Sequence, residues 1–265
     1  MANAEKSITD IRDILTLLGE VNKTLETKIY IPSSKKEIVV KPLNANHIKN
    51  ILKTTIEGPF SDNQFNIIIF NILKEIIDVP LHTLTILDKI AILIQLRQIN
   101  ISNKIVIEKS DEDTKKTIIN ISDYISNLKK QDFDISDKEV GDDNIKVTVS
   151  MPSIEDEYRF ELDLHTRIIS KIGTVDAKSL KTLFAPLFIN NMTQYIKSIS
   201  IGDNIISVNN KKVEERLAIT ESLPSVITTS IINAIDKNYG KQLINIATYE
   251  GEILPTNSIL FVSED

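Results

Sequence analysis

Apolar residues recur at helical spacing in two long stretches of the chain and at strand spacing between them. Over Phe65–Ile77 a broad face is formed by Phe65, Ile68, Ile69, Ile72, Leu73 and Ile76. Ile86–Gln98 repeats the pattern with Ile86, Ile90, Leu93, Ile94 and Arg97. Intervals of three and four residues place such side chains on one side of a helix. Gly58-Pro59 and Val79-Pro80 punctuate these helices, and a shorter one, His47–Ile56, precedes them. Upstream, Lys28–Pro32 and Glu37–Leu43 predict two short strands around the turn Ser33-Ser34-Lys35-Lys36. Pro32 and Pro42 stand at strand ends, where a missing N–H is tolerated.

From residue 100 the period changes. Ile101, Ile105 and Ile107 predict one strand and Thr117–Ile121 a second, across the charged turn 111–116. Residues 122–130 predict a short helical turn. Ile145, Val147 and Val149 then alternate with Lys146, Thr148 and Ser150 in a strand that Met151-Pro152 ends. A second helical block covers 153–247, with helices over Ile154–Thr166, Ala177–Phe188 and Met192–Ile199 and a β-turn excursion at Ile205–Asn210. Ser222 as cap and Pro224 in the first turn open a further helix that buries Val226, Ile227, Ile231, Ala234 and Ile235. Ile244–Thr248 and Ile253–Val262 predict a closing β element.

The expected fold class is α+β: two helical blocks separated by a small antiparallel β insert, preceded by an N-terminal helix and a β-hairpin. The corresponding segments are 1–28 (helix and tether), 29–100 (hairpin and helical block), 101–152 (β insert) and 153–265 (helical block with a C-terminal β element). A two-stranded hairpin is marginal alone, so 29–43 is expected to pack on the insert. Residues 7–18 form an amphipathic helix with a Ser7/Asp10 cap, an apolar stripe of Ile8, Ile11, Leu15 and Leu18, and a stop at Gly19. A lone helix of this length needs a surface to pack on. Either it folds back on its own body, or the polar stretch 21–28, reaching about 25 Å when extended, lets it grip a neighbour.

Composition narrows the chemistry. The 265 residues contain no cysteine, which removes disulfides, Cys-ligated zinc, iron–sulfur clusters and a thiol nucleophile. Net charge is −6 and aromatic residues are 5% of the chain with no Trp, a poor basis for nucleic-acid binding. The 48 isoleucines and the ratio of 26 lysines to 5 arginines reflect A/T-rich codons, and this excess of isoleucine inflates apparent strand propensity. Seven glycines leave little for phosphate loops or catalytic elbows. No apolar run approaches about 18 residues, and no secretory signal opens the chain. Synthesis in a cytoplasm as a soluble protein is expected.

Candidate sites read as structural one by one. His47, His82 and His165 are far apart in sequence, and none has a second histidine at metal-binding spacing. In the acidic run 132–143, Gly141 falls late and Phe133 and Ile135 interrupt the ligand spacing of a calcium loop, which leaves a solvated rim. Glu155-Asp156-Glu157 suits a helix N-terminus, where the dipole favours carboxylates. The lysines at 35, 36 and 41 and at 115 and 116 are exposed turns. No Gly-x-Ser-x-Gly elbow, phosphate loop or dinucleotide fingerprint is present. The expectation is no catalytic residue, no cofactor and no metal; the candidate partner-binding residues are Ile8, Ile11, Leu15 and Leu18.

The order of segments adds a resemblance. Ile29-Tyr-Ile-Pro-Ser-Ser-Lys-Lys-Glu-Ile-Val-Val-Lys-Pro-Leu43 resembles the opening of the baseplate hub subunit family of T4-like tailed phages, in which an apolar-Pro-Ser-Ser-Gly-Lys turn leads into a strand. Leu84–Arg97 resembles that family's helix ending in Leu-Arg, Asp142–Ser153 its strand into Tyr-Pro-Ser, and Glu221–Thr228 its late Ser-Leu-Pro helix start. This chain departs by having Lys35 in place of the turn glycine, by lacking the aromatics of the central helix, and by lacking the Cys pairs of some members. The resemblance implies a non-enzymatic structural component of a contractile tail, present in the virion baseplate after assembly in the host cytoplasm. Its implied partners are other baseplate and hub proteins in a hetero-oligomeric assembly, without nucleic acid or a membrane span. A tail assembly chaperone absent from the mature virion and a divergent hydrolase remain as alternatives.

Overall fold

The computed structural model describes residues 11, 14, 16–18, 21, 25–55, 60–108, 116–167, 169 and 177–262, the side chains of 108 and 177–184 excepted. One helix, Ile86–Asn100, lies at the centre, buried on nearly every side. Its apolar residues do not form a single stripe because it is covered all round, so Leu87, Ala91, Ile92, Leu93, Ile94 and Leu96 all reach the core. Thr85 and Asp88 cap its N-terminus reciprocally. Helices Ser61–Ile76 and Ile154–Arg167 pack beside it, with Phe70 stacked on Tyr158 at 3.9 Å between ring centres. The chain is an α+β protein, as its periodicities predict.

Among the described residues, ten strands form four separate antiparallel sheets. β1 (Thr27–Ile31) pairs with β2 (Lys36–Val40), and β3 (Lys104–Glu108) with β4 (Lys116–Asn120). β5 (Lys138–Gly141), β6 (Ile145–Val149), β7 (Ile196–Ile201) and β8 (Asn204–Ser207) make a four-stranded sheet in that order. β9 (Thr248–Tyr249) and β10 (Glu252–Ile253) form a minimal pair. Helix Ser225–Ala234 covers the β5–β6 end of the large sheet and continues through a π-helical turn, Ile235–Gly240. That turn buries Tyr239, whose hydroxyl lies 2.8 Å from Val149 O and 2.9 Å from Ser136 O.

Several local expectations are corrected. The sheet of the β insert extends into the following helical block, from which β6 takes its second neighbour, β7. Among the described residues, the hairpin 29–43 joins no strand of the insert. It packs first on the central helix and touches the insert through Lys129, which pairs with Glu37, and Asp132, which pairs with Lys35. A helix over Met192–Ile199 is replaced by the end of helix Ala177–Thr193, which runs through Pro186, followed by β7. The register shift at Thr148/Val149 explains this: Ile196 pairs with Val149 and Ile199 with Val147, so two residues three apart both face the core of a strand. Ser222 is the C-cap of helix Val213–Glu221, and Pro224 itself precedes the first turn of the next helix. Residues 241–246 are helical rather than extended.

Candidate functional site

The central helix carries four buried polar side chains, Asp88, Lys89, Gln95 and Arg97. Burial of such groups costs several kcal/mol unless their hydrogen bonds are made (about 2–7 for a neutral group, more for a charge). Each reaches a different part of the chain. Asp88 accepts from the Thr85 N–H and hydroxyl, both at 2.8 Å, and from the Ser33 N–H at 2.9 Å and hydroxyl at 2.7 Å in the hairpin turn. The Gln95 amide accepts from the Tyr30 N–H at 2.8 Å and donates to Tyr30 O at 2.9 Å, as a neighbouring strand would. Arg97 donates to Lys104 O at 2.9 Å, to Val262 O at 3.0 Å and to Leu260 O. Lys89 is ion-paired with Glu157 and donates to Asn66 Oδ1 at 3.1 Å.

From Lys89 a polar seam continues between helices Ser61–Ile76 and Ile154–Arg167. Asn66 donates to Glu161 Oε1 at 3.1 Å. Asn63 donates to the other carboxylate oxygen and, at 2.9 Å, to Glu161 O. Asn63 Oδ1 lies 3.2 Å from His165 Nδ1. Burial pushes the Glu161 carboxyl above the ordinary glutamate range; the two asparagine amides and Lys89 pull it back, and Glu157 adds to the rise. Two pockets flank the seam: one of 270 Å³ lined by Asp62, Asn66, Lys89, Glu157 and Asn257, and one of 190 Å³ that includes Phe60, Phe160, Glu161 and Asn190.

A buried guanidinium, Arg216, holds the far side of Phe160. It donates to Asp156 Oδ1 at 3.0 Å and to the carbonyls of Thr193 and Gln194 at 3.3 Å, and stands 4.7 Å from the ring centre of Phe160. Burial lowers its pKa while Asp156 raises it. Apart from Arg216 Nε, which is buried without a partner, these groups bind one another and tie five helices together. Among the described residues, no group of three or more His, Asp and Glu side chains is placed to hold a metal ion.

The residues singled out in the sequence are dispersed. His47 completes a capping box with Asn44 and lies 3.0 Å from Glu75. His82 is exposed, 3.8 Å from Glu155. His165 belongs to the seam, so the three histidines share no site. In the acidic run, Asp132 pairs with Lys35, Asp134 with Lys138 at 2.7 Å and Asp137 with Lys197 at 2.6 Å, while Asp142 accepts two backbone N–H groups. Hydrogen bonds from Lys35 to Asp132, from Lys138 and Ser136 to Asp134, and from Ile145 and Asn144 to Asp142 hold these three carboxyls below the ordinary aspartate range. Glu155, Asp156 and Glu157 open their helix and reach Arg159, Arg216 and Lys89 respectively. Lys115 lies outside the described residues.

Of the partner stripe, Ile8 and Leu15 lie outside the described residues, whereas Ile11 is 69% exposed and Leu18 53%. Other large aliphatics stand open in short strands, Ile205 at 77% in β8 and Ile253 at 73% in β10. The roles of Asp88, Gln95, Arg97 and Arg216 were not recognised in the sequence. The available signal was a polar residue inside an otherwise apolar run, which Asp88 and Lys89 supply. No helix among the described residues is long and apolar enough to cross a membrane. Against known proteins, a family model described as T4 bacteriophage base plate protein matches residues 22–245. No curated protein and no solved structure matches the chain significantly.

Proposed function

Since the chain belongs to the T4 bacteriophage base plate protein family, we propose that it serves as a hub subunit of a contractile-tail baseplate and acts through protein contacts rather than catalysis. As a member of that family it is a structural component of a phage baseplate, with other baseplate proteins as partners and the virion tail as its place. The hub position is supported by the ordered resemblances at 29–43, 84–97, 142–153 and 221–228, which run through the matched region. Assembly takes place in the host cytoplasm, with no nucleic acid in the contact.

The observation that carries a contact role is the N-terminal segment. Residues 11, 14, 16–18 and 21 are helical, and Ile11, Ile14, Leu17 and Leu18 are exposed. Leaving such side chains in water forgoes about 1.5–3 kcal/mol each, which a neighbour's groove recovers. Ile8, Ile11, Leu15 and Leu18 are the gripping residues in this reading. Deleting residues 1–19 is expected to leave the melting temperature unchanged and abolish co-purification with baseplate proteins. A melting temperature lowered by several degrees with assembly intact would place the segment in the protein's own core instead. Mass spectrometry with cross-linking on purified virions tests the hub position: the chain should be present and linked to central baseplate proteins. Its absence from mature particles would make it an assembly chaperone.

A further inference from the structure

The 190 Å³ pocket beside the polar seam is lined by Phe60, Phe160, Asp62, Glu161, Asn190 and Gln194, among others. Two of its amides spend their donors on the pocket's own walls. Asn63 donates to Glu161, and Asn190 Nδ2 donates to Phe160 O at 3.3 Å. Among the described lining residues, the buried side-chain atoms left without a partner are both acceptors. Asn190 is 3% exposed, yet its Oδ1 has no partner, and Gln194 Oε1 is likewise buried and unpartnered. An unmade hydrogen bond at such an atom costs about 1–3 kcal/mol. The described lining residues include two carboxylates and no Lys, Arg or His. Phe160 already stacks against one guanidinium, that of Arg216.

Unpartnered acceptors, negative charge and aromatic faces together select a donor-rich organic cation. A bare metal ion fits poorly, because the Glu161 oxygens already accept amide N–H groups and calcium needs about six to eight oxygen ligands. The volume exceeds several waters at about 30 Å³ each, and a planar guanidinium with its stem fills such a space. We propose that this pocket receives the guanidinium of an arginine side chain from a neighbouring baseplate subunit. That source rests on the baseplate reading above; the preference for a guanidinium does not.

The test uses the full chain, labelled with nitrogen-15, and methylguanidinium chloride as probe, with sodium chloride at equal ionic strength as control. Methylguanidinium should shift the side-chain amide resonances of Asn190 and Gln194 saturably, and sodium should not. Asn190→Leu should weaken the binding about tenfold, corresponding to about 1.4 kcal/mol, and Asn190→Asp should strengthen it. In co-purification, Asn190→Leu should reduce recovery of baseplate proteins while the melting temperature holds. No saturable shift, or an equal shift with sodium, overturns the site. Putrescine binding far more tightly than methylguanidinium, with co-purification unaffected by Asn190→Leu, would make the ligand a free polyamine and overturn the subunit source. Absence of the chain from virions would sink the baseplate reading while leaving methylguanidinium binding as it is.

Discussion

Lys35 holds a φ of +54°, in the left-handed region, at the turn position where the hub family that the sequence resembles carries glycine. A side chain there costs about 1–2 kcal/mol. Its ion pair with Asp132 is fully exposed and returns little. Lys35→Gly should therefore raise stability by about 1 kcal/mol, offset in part by the entropy of the unfolded glycine, and a urea titration reads the gain as a higher midpoint at unchanged slope. Lys89 is the opposite case. Lys89→Met leaves Glu157 and Asn66 without their shared donor. The expected loss is about 3 kcal/mol, the low end for a broken buried pair, because both charged groups line a pocket of 270 Å³ open to water. Adding Glu157→Leu to Lys89→Met should recover part of that loss. A double variant no more stable than the single one would mean that the pair does not carry the effect.

At the level of elements, the β5–β6 hairpin turns on Gly141, with φ +125°. A Cβ there would meet Ile145 O at 2.0 Å, inside the backbone of the partner strand. Gly141→Ala should cost about 2 kcal/mol or more and loosen the four-stranded sheet, read as faster amide exchange at Val147 and Ile199. Long helices with one core-facing side, such as Phe65–Ile76, were legible in the sequence, whereas the short helices Val213–Glu221 and Lys241–Ile246 were not. β7 was not, because its bulge gives a strand the three-residue spacing of a helix at Ile196 and Ile199. The clamps made by Gln95 and Arg97 were hidden for a different reason: the hairpin and C-terminal partners they reach lie 65 to 165 residues away, beyond any local pattern. The acceptor pocket was likewise hidden, since Asn63, Phe160 and Asn190 come from three helices.

Across the whole molecule, proton binding acts in two directions. Glu161 has its carboxyl raised by burial, so protonation favours the fold. That contribution is complete below the ordinary glutamate range and is lost as pH rises through the raised value. Asp132, Asp134 and Asp142 are lowered; their contribution is present above the ordinary aspartate value and lost as pH falls through the depressed ones. Melting temperatures should decline for the wild type as pH rises above the ordinary glutamate range, and be flatter for Glu161→Gln. Equal slopes would show that another group sets the decline. The Arg97 clamp has a consequence in time. Its acceptor Leu260 O lies 163 residues further along the chain, and synthesis at about 5–20 residues per second needs roughly 8–30 s to supply it. Until then the nascent central helix, apolar on nearly every side, waits beside the ribosome with that anchor unmet.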